Sequence, residues 1–153
     1  MEIRKAVPAD AQAISRMLGT LVSAGKRTSR ADEDFVLATY IENPEGILCV
    51  LALDEGGGLL GFQSVVRTSA GNRYGTPEGW GFIGTHVAPE AGRRGVGSRL
   101  FEATRAAAEA ARLPAIEAFI GATNVEGQAY YEKMGFRTYR IADGAICKCY
   151  RLA

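Results

Sequence analysis

The chain has 153 residues, of which 47% are hydrophobic and 23% are charged, and its formal net charge is +1. A chain of this length forms one domain, residues 1–153, with a core large enough to need neither a metal ion nor a disulfide. The near balance of charge argues against a protein that binds nucleic acid or a membrane surface through its overall charge.

The sequence contains three cysteines, Cys49, Cys147 and Cys149, and one histidine. This set forms neither an even number for disulfides nor a zinc-ligand cluster, so we predict reduced, packed thiols and no metal site. The N-terminus lacks the apolar core of a signal peptide, and no apolar run approaches the roughly 18 residues of a membrane span. We therefore expect a cytoplasmic protein.

The first third of the chain predicts one strand and two helices. The strand runs from Ile3 to Val7, and after Pro8 we expect Asp10 to cap a helix that stops near Gly25. A charged segment leads into a second helix, which Asn43-Pro44 closes. The apolar stripes of the two helices are Ile14, Met17, Leu18, Leu21 and Val22, then Phe35, Val36, Tyr40 and Ile41.

The rest of the chain predicts six strands and two helices. The strands cover residues 46–53, 59–68, 80–88, 115–120, 136–140 and 145–151, and the helices cover 96–112 and about 124–134. Residues 69–79 are expected to be an exposed loop. The predicted class is α/β, in the order β-α-α-β-β-β-α-β-α-β-β, with helices flanking a mixed, mostly antiparallel sheet. The crossover helix makes the fourth and fifth strands parallel.

The most informative segment is WGFIGTHVAPEAGRRGVGSRL, residues 80–100. An apolar strand pattern breaks at Pro89 into a loop of glycines and arginines that opens a helix. Such a loop exposes backbone N–H groups at the positive end of the helix dipole, which favours a bound phosphate. The loop lacks the lysine of a Walker motif and the third glycine of a dinucleotide fingerprint. An ordinary structural turn is the alternative interpretation.

Two segments in this order resemble the GNAT superfamily of acyl-CoA-dependent N-acyltransferases, over essentially the whole chain. VAPEAGRRGVGSRLF is similar to the family's loop V-x-P-x-x-R-G-x-G-[IV]-G, and NVEGQAYYEKMGF is similar to its segment N-x-x-[AG]-x-x-[LFY]-Y-x-x-x-G-F. The chain departs from the family at three positions. Gly92 replaces the usual Arg or Gln, Arg93 replaces a Gly, and Gly127 replaces Ala or Ser.

The resemblance implies acetyl-CoA as co-substrate and a single GNAT-like domain whose fourth and fifth strands splay apart to admit it. The pyrophosphate would lie on the loop, and the pantetheine would lie along the fourth strand near Val87, where a main-chain N–H would polarise the thioester carbonyl. The implied cofactor-binding residues are Val87, Arg93, Arg94, Gly95, Val96, Gly97, Ser98 and Asn124. Since backbone amides provide most phosphate contacts, we expect binding to survive the exchanges at 92 and 93 with altered geometry or affinity.

The resemblance also assigns Tyr131 as the acid that protonates the leaving thiolate. The alternative is that Tyr130 and Tyr131 are core aromatics and that Asn124 is only a helix N-cap. The predicted base is His86, the sole histidine. In the family, base positions on this strand share a face with Gly81, Ile83 and Thr85. Strand alternation places His86 on the opposite face, directed toward the helices. Glu117, Glu78 and a water chain are the other candidates.

We therefore predict an N-acetyltransferase that moves an acetyl group to a primary amine of a small molecule by direct attack in a ternary complex. The alternatives are an acetyltransferase for protein N-termini or lysines, and a non-catalytic acyl-CoA sensor. A nucleic-acid binder would rest on Arg93, Arg94, Arg99 and Arg105, of which the last two are better explained as a solvated helix face. No membrane partner is expected, and a homodimer is in keeping with the family. Two candidate substrate loops, one between the first two helices and one beside the third strand, carry several charged residues. These recognise a zwitterion or are simply solvated: Lys26, Arg27, Arg30, Asp32, Glu33, Asp34, Arg67 and Arg73.

Overall fold

The described part of the chain forms seven strands and four helices. The structure is a computed structural model and describes residues 1–92 and 94–153. The strands are β1 (Glu2–Lys5), β2 (Gly46–Leu53), β3 (Leu59–Arg67), β4 (Gly81–Val87), β5 (Ala115–Gly121), β6 (Arg137–Ala142) and β7 (Ala145–Arg151). The helices are α1 (Ala11–Ser23), α2 (Glu33–Val36, continued by a π-helical turn, Leu37–Ile41), α3 (Val96–Ala110) and α4 (Val125–Met134). The predicted element order is confirmed.

The strands form one sheet in the order β1-β2-β3-β4-β5-β7-β6. Every neighbouring pair is antiparallel except β4 and β5, which are parallel as the crossover through α3 requires. Hairpin formation between β6 and β7 places β7, not β6, beside β5. The closing strand therefore completes the sheet next to the parallel pair.

Two hydrophobic clusters lie against the sheet. One is centred on α1, β2 and β3, where Ile14, Leu18 and Phe62 are fully buried. The other joins β4 and β5 to α3 and α4 and includes Ile83, Ile116 and Phe136. Because strand side chains alternate, neighbouring residues of β4 face opposite layers of the molecule.

The N-terminal cap of α1 differs from the prediction. The Asp10 side chain makes no cap hydrogen bond to α1. Its carboxylate instead accepts from the backbone N–H of Val7 at 2.8 Å and from both terminal nitrogens of Arg4 at 2.9 Å. Asp10 thus closes the 3-10 turn at Pro8–Asp10 and fastens it to β1, because a charged partner outcompetes the helix amides.

The three cysteines are free and buried, in agreement with packed thiols. Within residues 1–92 and 94–153, no helix has both the length and the apolar character required to cross a bilayer.

Candidate active site

The loop between β4 and α3 presents backbone donors, as the sequence predicts. Gly95 adopts φ +75°, a left-handed conformation that glycine reaches without strain, and α3 begins at the next residue. The N–H of Arg99 makes a helical bond to the carbonyl of Gly95 at 3.1 Å, so the amides of Val96, Gly97 and Ser98 precede the ladder. Among the described residues no side chain caps this end, so these amides remain available to an anion.

The side chains around this loop divide into anchors and exposed groups. Val96 is buried and fixes the first turn of α3 against the sheet, whereas Arg94 is exposed and Ser98 is half-buried. Arg93, the other predicted cofactor contact, lies outside the described residues. The loop thus combines a fixed row of amides with the positive charge of Arg94.

β4 and β5 splay apart, as expected. Their pairing covers only Gly81 to Ile83 on β4, although the strand continues to Val87. The N–H of Ala88 donates to the carbonyl of Leu60 at 2.9 Å, toward β3. Since alternate residues of a strand direct their backbone groups to opposite neighbours, the N–H of Val87 points into the gap left by β5. This donor is placed to bind a carbonyl that enters the gap.

Gly97 has a second role that the motif does not indicate. A Cβ at this position would lie 2.5 Å from Cε1 of Tyr130, so the close approach of the ring to α3 requires a residue without a side chain. The Tyr130 hydroxyl donates to the carbonyl of Gly97 at 2.8 Å. Burial raises the pKa of Tyr130 to about 12, which keeps its proton in place. The phosphate-type loop and α4 are thereby joined directly.

Tyr131 reaches the unpaired part of β4. Its side chain is 7% exposed, and its hydroxyl lies 2.8 Å from Oγ1 of Thr85, two residues beyond the last pairing with β5. Burial raises the pKa of Tyr131, and the hydrogen bond with Thr85 opposes that rise. The phenol is therefore a protonated acid at neutral pH, held beside the gap.

Asn124 is the N-cap of α4. Its side-chain oxygen accepts from the N–H of Gly127 at 3.0 Å. A Cβ on Gly127 would lie 2.5 Å from Nδ2 of Asn124, so the glycine at this position permits the compact cap. This geometry confirms the capping alternative, and the contact of Asn124 with a cofactor stays a prediction.

The environment of His86 argues against its prediction as the base. Its ring stacks on Phe62 at 4.8 Å between centroids, on the face toward Tyr40 of α2, as strand alternation required. Its Nε2 lies 3.2 Å from a terminal nitrogen of Arg27, which can only donate. Burial, aided by the charge of Arg27, lowers the pKa of His86 to about 3. A group that binds protons so weakly is a poor acceptor from an amine near neutral pH.

Glu117, the second base candidate, is a structural carboxylate. It is fully buried on β5, and both oxygens are engaged. Oε1 accepts from Thr76 at 2.7 Å and from Arg140 at 2.9 Å, while Oε2 accepts from Tyr139 and Arg140. Arg140 also donates to the carbonyl of Tyr74 at 2.8 Å. The cluster therefore fastens the loop before β4 to β5 and β6.

Aromatic rings cover the sheet on the side of His86. Tyr74 stacks on Phe82 at 4.5 Å and lies 5.1 Å from Phe119, so the predicted exposed loop folds partly over β4 and β5. Arg27 reaches this side from the α1–α2 connection, where its Nη2 donates to the carbonyl of Arg30 at 2.8 Å. The third base candidate, Glu78, is exposed in the same loop. Of the remaining charges, Arg30 pairs with Asp32 at 2.7 Å in solvent, as the alternative of solvated loop charge expects.

Two polar residues of the site were not predicted. Gln63 is fully buried on β3, and its Nε2 donates to Thr85 at 2.9 Å and to the Tyr130 hydroxyl at 3.0 Å. The sequence places Thr85 on the strand face of the family's base positions but assigns it no role. The available signal was the amide itself, because a glutamine in the middle of the apolar strand LLGFQSVVR is rarely buried without a specific partner.

The fold and the sequence agree with known acetyltransferases. The chain superposes on a GCN5-related N-acetyltransferase from Kribbella flavida with a TM-score of 0.79 at 21% identity, covering 99% of this chain and 97% of that one. A GNAT superfamily phosphinothricin acetyltransferase from Sinorhizobium meliloti, in complex with AcCoA, gives 0.78 at 20% identity, covering 99% and 88%. PaiA N-acetyltransferase from Thermoplasma acidophilum, in complex with coenzyme A, gives 0.75 at 15% identity, covering 99% and 98%. No curated protein sequence matches. The profile of the acetyltransferase (GNAT) family matches residues 16–136, and the chain therefore belongs to this family.

Proposed function

We propose that this protein transfers an acetyl group from acetyl-CoA to the primary amine of a small molecule, by direct attack in a ternary complex. The observation that carries the proposal is the position of Tyr131, whose hydroxyl lies beside the gap between β4 and β5, 2.8 Å from Thr85. The uncapped amides at the start of α3 follow the C-terminal end of the same strand. A phosphate site beyond the end of the strand and an acid farther back along the gap fit a long thioester.

Acetyl-CoA supplies the activated acyl group. The amides of Val96, Gly97 and Ser98 hold the pyrophosphate with the help of Arg94. The N–H of Val87 donates to the thioester oxygen and stabilises the negative charge that develops there as nitrogen attacks. Tyr131 then gives its proton to the departing sulfur.

Tyr131 fits the role of acid better than its neighbour Tyr130. The two rings lie 4.9 Å apart, but the proton of Tyr130 is held by the carbonyl of Gly97. Neither His86 nor Glu117 suits the role of base, and no hydrogen bond among the described residues ties Glu78 to Thr85 or Tyr131, so in this proposal the amine loses its proton to water. Water suffices because an amine that binds in its neutral form needs only to shed a proton after attack.

A small acceptor is favoured by the aromatic side chains next to the gap. Tyr74 stacks on Phe82, in the segment of β4 that still pairs with β5, and the bond from Arg140 to the Tyr74 carbonyl fixes the position of this ring. A protein substrate would require an open groove for an extended chain. A fixed aromatic wall of this kind suits a compact amine better than an extended chain.

The test is Tyr131→Phe, which removes the acidic proton and keeps the ring packed against Phe136. We expect kcat for thiol release to fall about 10²- to 10⁴-fold, the usual contribution of a general acid, while the Kd for acetyl-CoA measured by calorimetry changes little. Unchanged kcat would remove Tyr131 as the acid. Thermal stabilisation by acetyl-CoA without thiol release from any amine would favour the sensor, and no stabilisation at all would refute the cofactor assignment.

A further inference from the structure

A continuous chain of hydrogen bonds connects the first turn of α3 to Tyr131. The Tyr130 hydroxyl donates to the Gly97 carbonyl at 2.8 Å and accepts from Gln63 Nε2 at 3.0 Å. The same Nε2 donates to Thr85 Oγ1 at 2.9 Å, and Thr85 lies 2.8 Å from the Tyr131 hydroxyl. The chain lies on the face of β3 and β4 that packs against α3 and α4.

The direction of the hydrogen bonds between Gly97 and Thr85 follows from the end point at Gly97. A carbonyl oxygen can only accept, so the proton of Tyr130 points to Gly97, and the oxygen of Tyr130 is left to accept. Gln63 must therefore present its NH₂ group to Tyr130, and the second hydrogen of that group is directed to Thr85. Thr85 accepts this bond with one lone pair, and its hydroxyl proton is then free to point to the oxygen of Tyr131.

We propose that Thr85 is a positioning residue for the acid, donating its hydroxyl proton to the Tyr131 oxygen so that the Tyr131 proton is directed to the leaving sulfur. This inference rests on the proposed function. In the step, the C–N bond forms, the C–S bond breaks, and the sulfur takes the proton of Tyr131. The phenolate oxygen keeps the hydrogen bond from Thr85, the nitrogen loses its extra proton to water, and Tyr131 recovers a proton from water before the next turnover.

The unpaired side-chain oxygen of Gln63 supports this assignment. Its Oε1 is buried and has no hydrogen-bond partner among the described residues. A buried acceptor without a partner is destabilising, and an apolar side chain in the strand would avoid the loss. The amide is thus in place for its two donor hydrogens, one for Tyr130 and one for Thr85. Local departures of this kind occur at functional sites.

The experiment compares Thr85→Val, which keeps the shape and removes the hydroxyl, with Thr85→Ser, which keeps the hydroxyl. We expect Thr85→Val to lower kcat roughly 10- to 100-fold, the effect of losing a hydrogen bond to a charged oxygen, with an unchanged Kd for acetyl-CoA. The alkaline limb of the kcat–pH profile should move to higher pH, since the lost donor favoured the phenolate. Thr85→Ser should stay within a few-fold of the wild type.

The same pair of variants in the Tyr131→Phe background separates this inference from the proposed function. There, Thr85→Val should have no further effect on kcat, because no phenolate forms. Loss of kcat that is equal for Val and Ser, or undiminished in the Tyr131→Phe background, would overturn the role of Thr85. Full activity of Tyr131→Phe itself would instead refute the acid.

Gln63→Met provides a second variant in case Thr85→Val does not fold. It removes the bond that directs the Thr85 hydroxyl and leaves Thr85 free to accept from Tyr131. We expect a several-fold lower kcat and the same shift of the alkaline limb. A wild-type profile from folded Gln63→Met protein would overturn the proposed direction of the chain.

Discussion

Replacing Gly97 with Ala tests how α3 and α4 are joined. The added Cβ would lie 2.5 Å from Cε1 of Tyr130 and 3.2 Å from Cδ1 and Cζ, against about 3.5–4.0 Å for a favourable carbon–carbon contact. The ring cannot move aside freely, because its hydroxyl is bonded to the Gly97 carbonyl at 2.8 Å and to Gln63 at 3.0 Å. Overpacking of this kind lowers the free energy of unfolding by about 1–3 kcal/mol.

An opposing effect must be subtracted from that loss. Gly97 is not among the glycines with positive φ, and alanine is favoured over glycine inside a helix by up to about 1 kcal/mol. With a helix preference of about 1 kcal/mol, the net loss expected for Gly97→Ala is therefore about 0–2 kcal/mol. Urea denaturation at constant m would show it as a lower midpoint.

The sign of the effect should reverse when the obstructing ring is absent. In a Tyr130→Ala background, Gly97→Ala should raise the free energy of unfolding by up to about 1 kcal/mol, since only the helix preference remains. The double-mutant cycle thus has an expected coupling of about 1–3 kcal/mol. The same loss in both backgrounds would show that the ring does not set the requirement for glycine, and the steric argument would be wrong.

Two further predictions concern buried charge. His86 is the only histidine, and its pKa is lowered to about 3 in the fold against about 6.5 unfolded, so the unfolded chain binds the proton first as pH falls. From pH 7 to pH 5 the free energy of unfolding of the wild type should fall by about 2 kcal/mol more than that of His86→Gln. Urea denaturation midpoints measure this difference. If the stability of the two proteins depended on pH in the same way, the histidine would not be held neutral in the fold. Arg140→Met should destabilise the fold more than Glu117→Gln. The first variant leaves the Glu117 carboxylate, which is 0% exposed, without its cationic partner. The second leaves the Arg140 guanidinium, which is 27% exposed and can be hydrated. We expect about 3–5 kcal/mol for Arg140→Met by the same assay, and the reverse order would show that Glu117 does not depend on its partner.

The element order could be predicted because the hydrophobic periodicity and the turn residues agree along the chain. The strands at Gly46–Leu53 and Ala145–Arg151 have the predicted bounds, and α3 and α4 begin and end within two residues of theirs. The misplaced cap at Asp10 shows the limit of local reasoning. A single sequence does not indicate that Arg4, six residues earlier, offers the carboxylate a stronger partner than the helix amides.

The candidate site was predictable where backbone conformation or a short motif defines it. The left-handed Gly95 and the uncapped start of α3 follow from the loop sequence. The environments of His86 and Glu117 do not, since burial and the approach of Arg27 or Arg140 depend on segments distant in the chain. The same holds for Gln63, whose partners Thr85 and Tyr130 are 22 and 67 residues away.

The gap after Ile83 makes β4 an edge strand in the interior of a sheet. Exposed edges commonly recruit a strand from another molecule, and proteins usually shield them with charge, proline or a bulge. Here the shielding comes from the two faces, since Tyr131 reaches Thr85 from one layer and Tyr40 approaches His86 from the other. The internal edge is thus flanked by aromatic side chains on both faces, which take the place of the charge, proline or bulge used at outer edges.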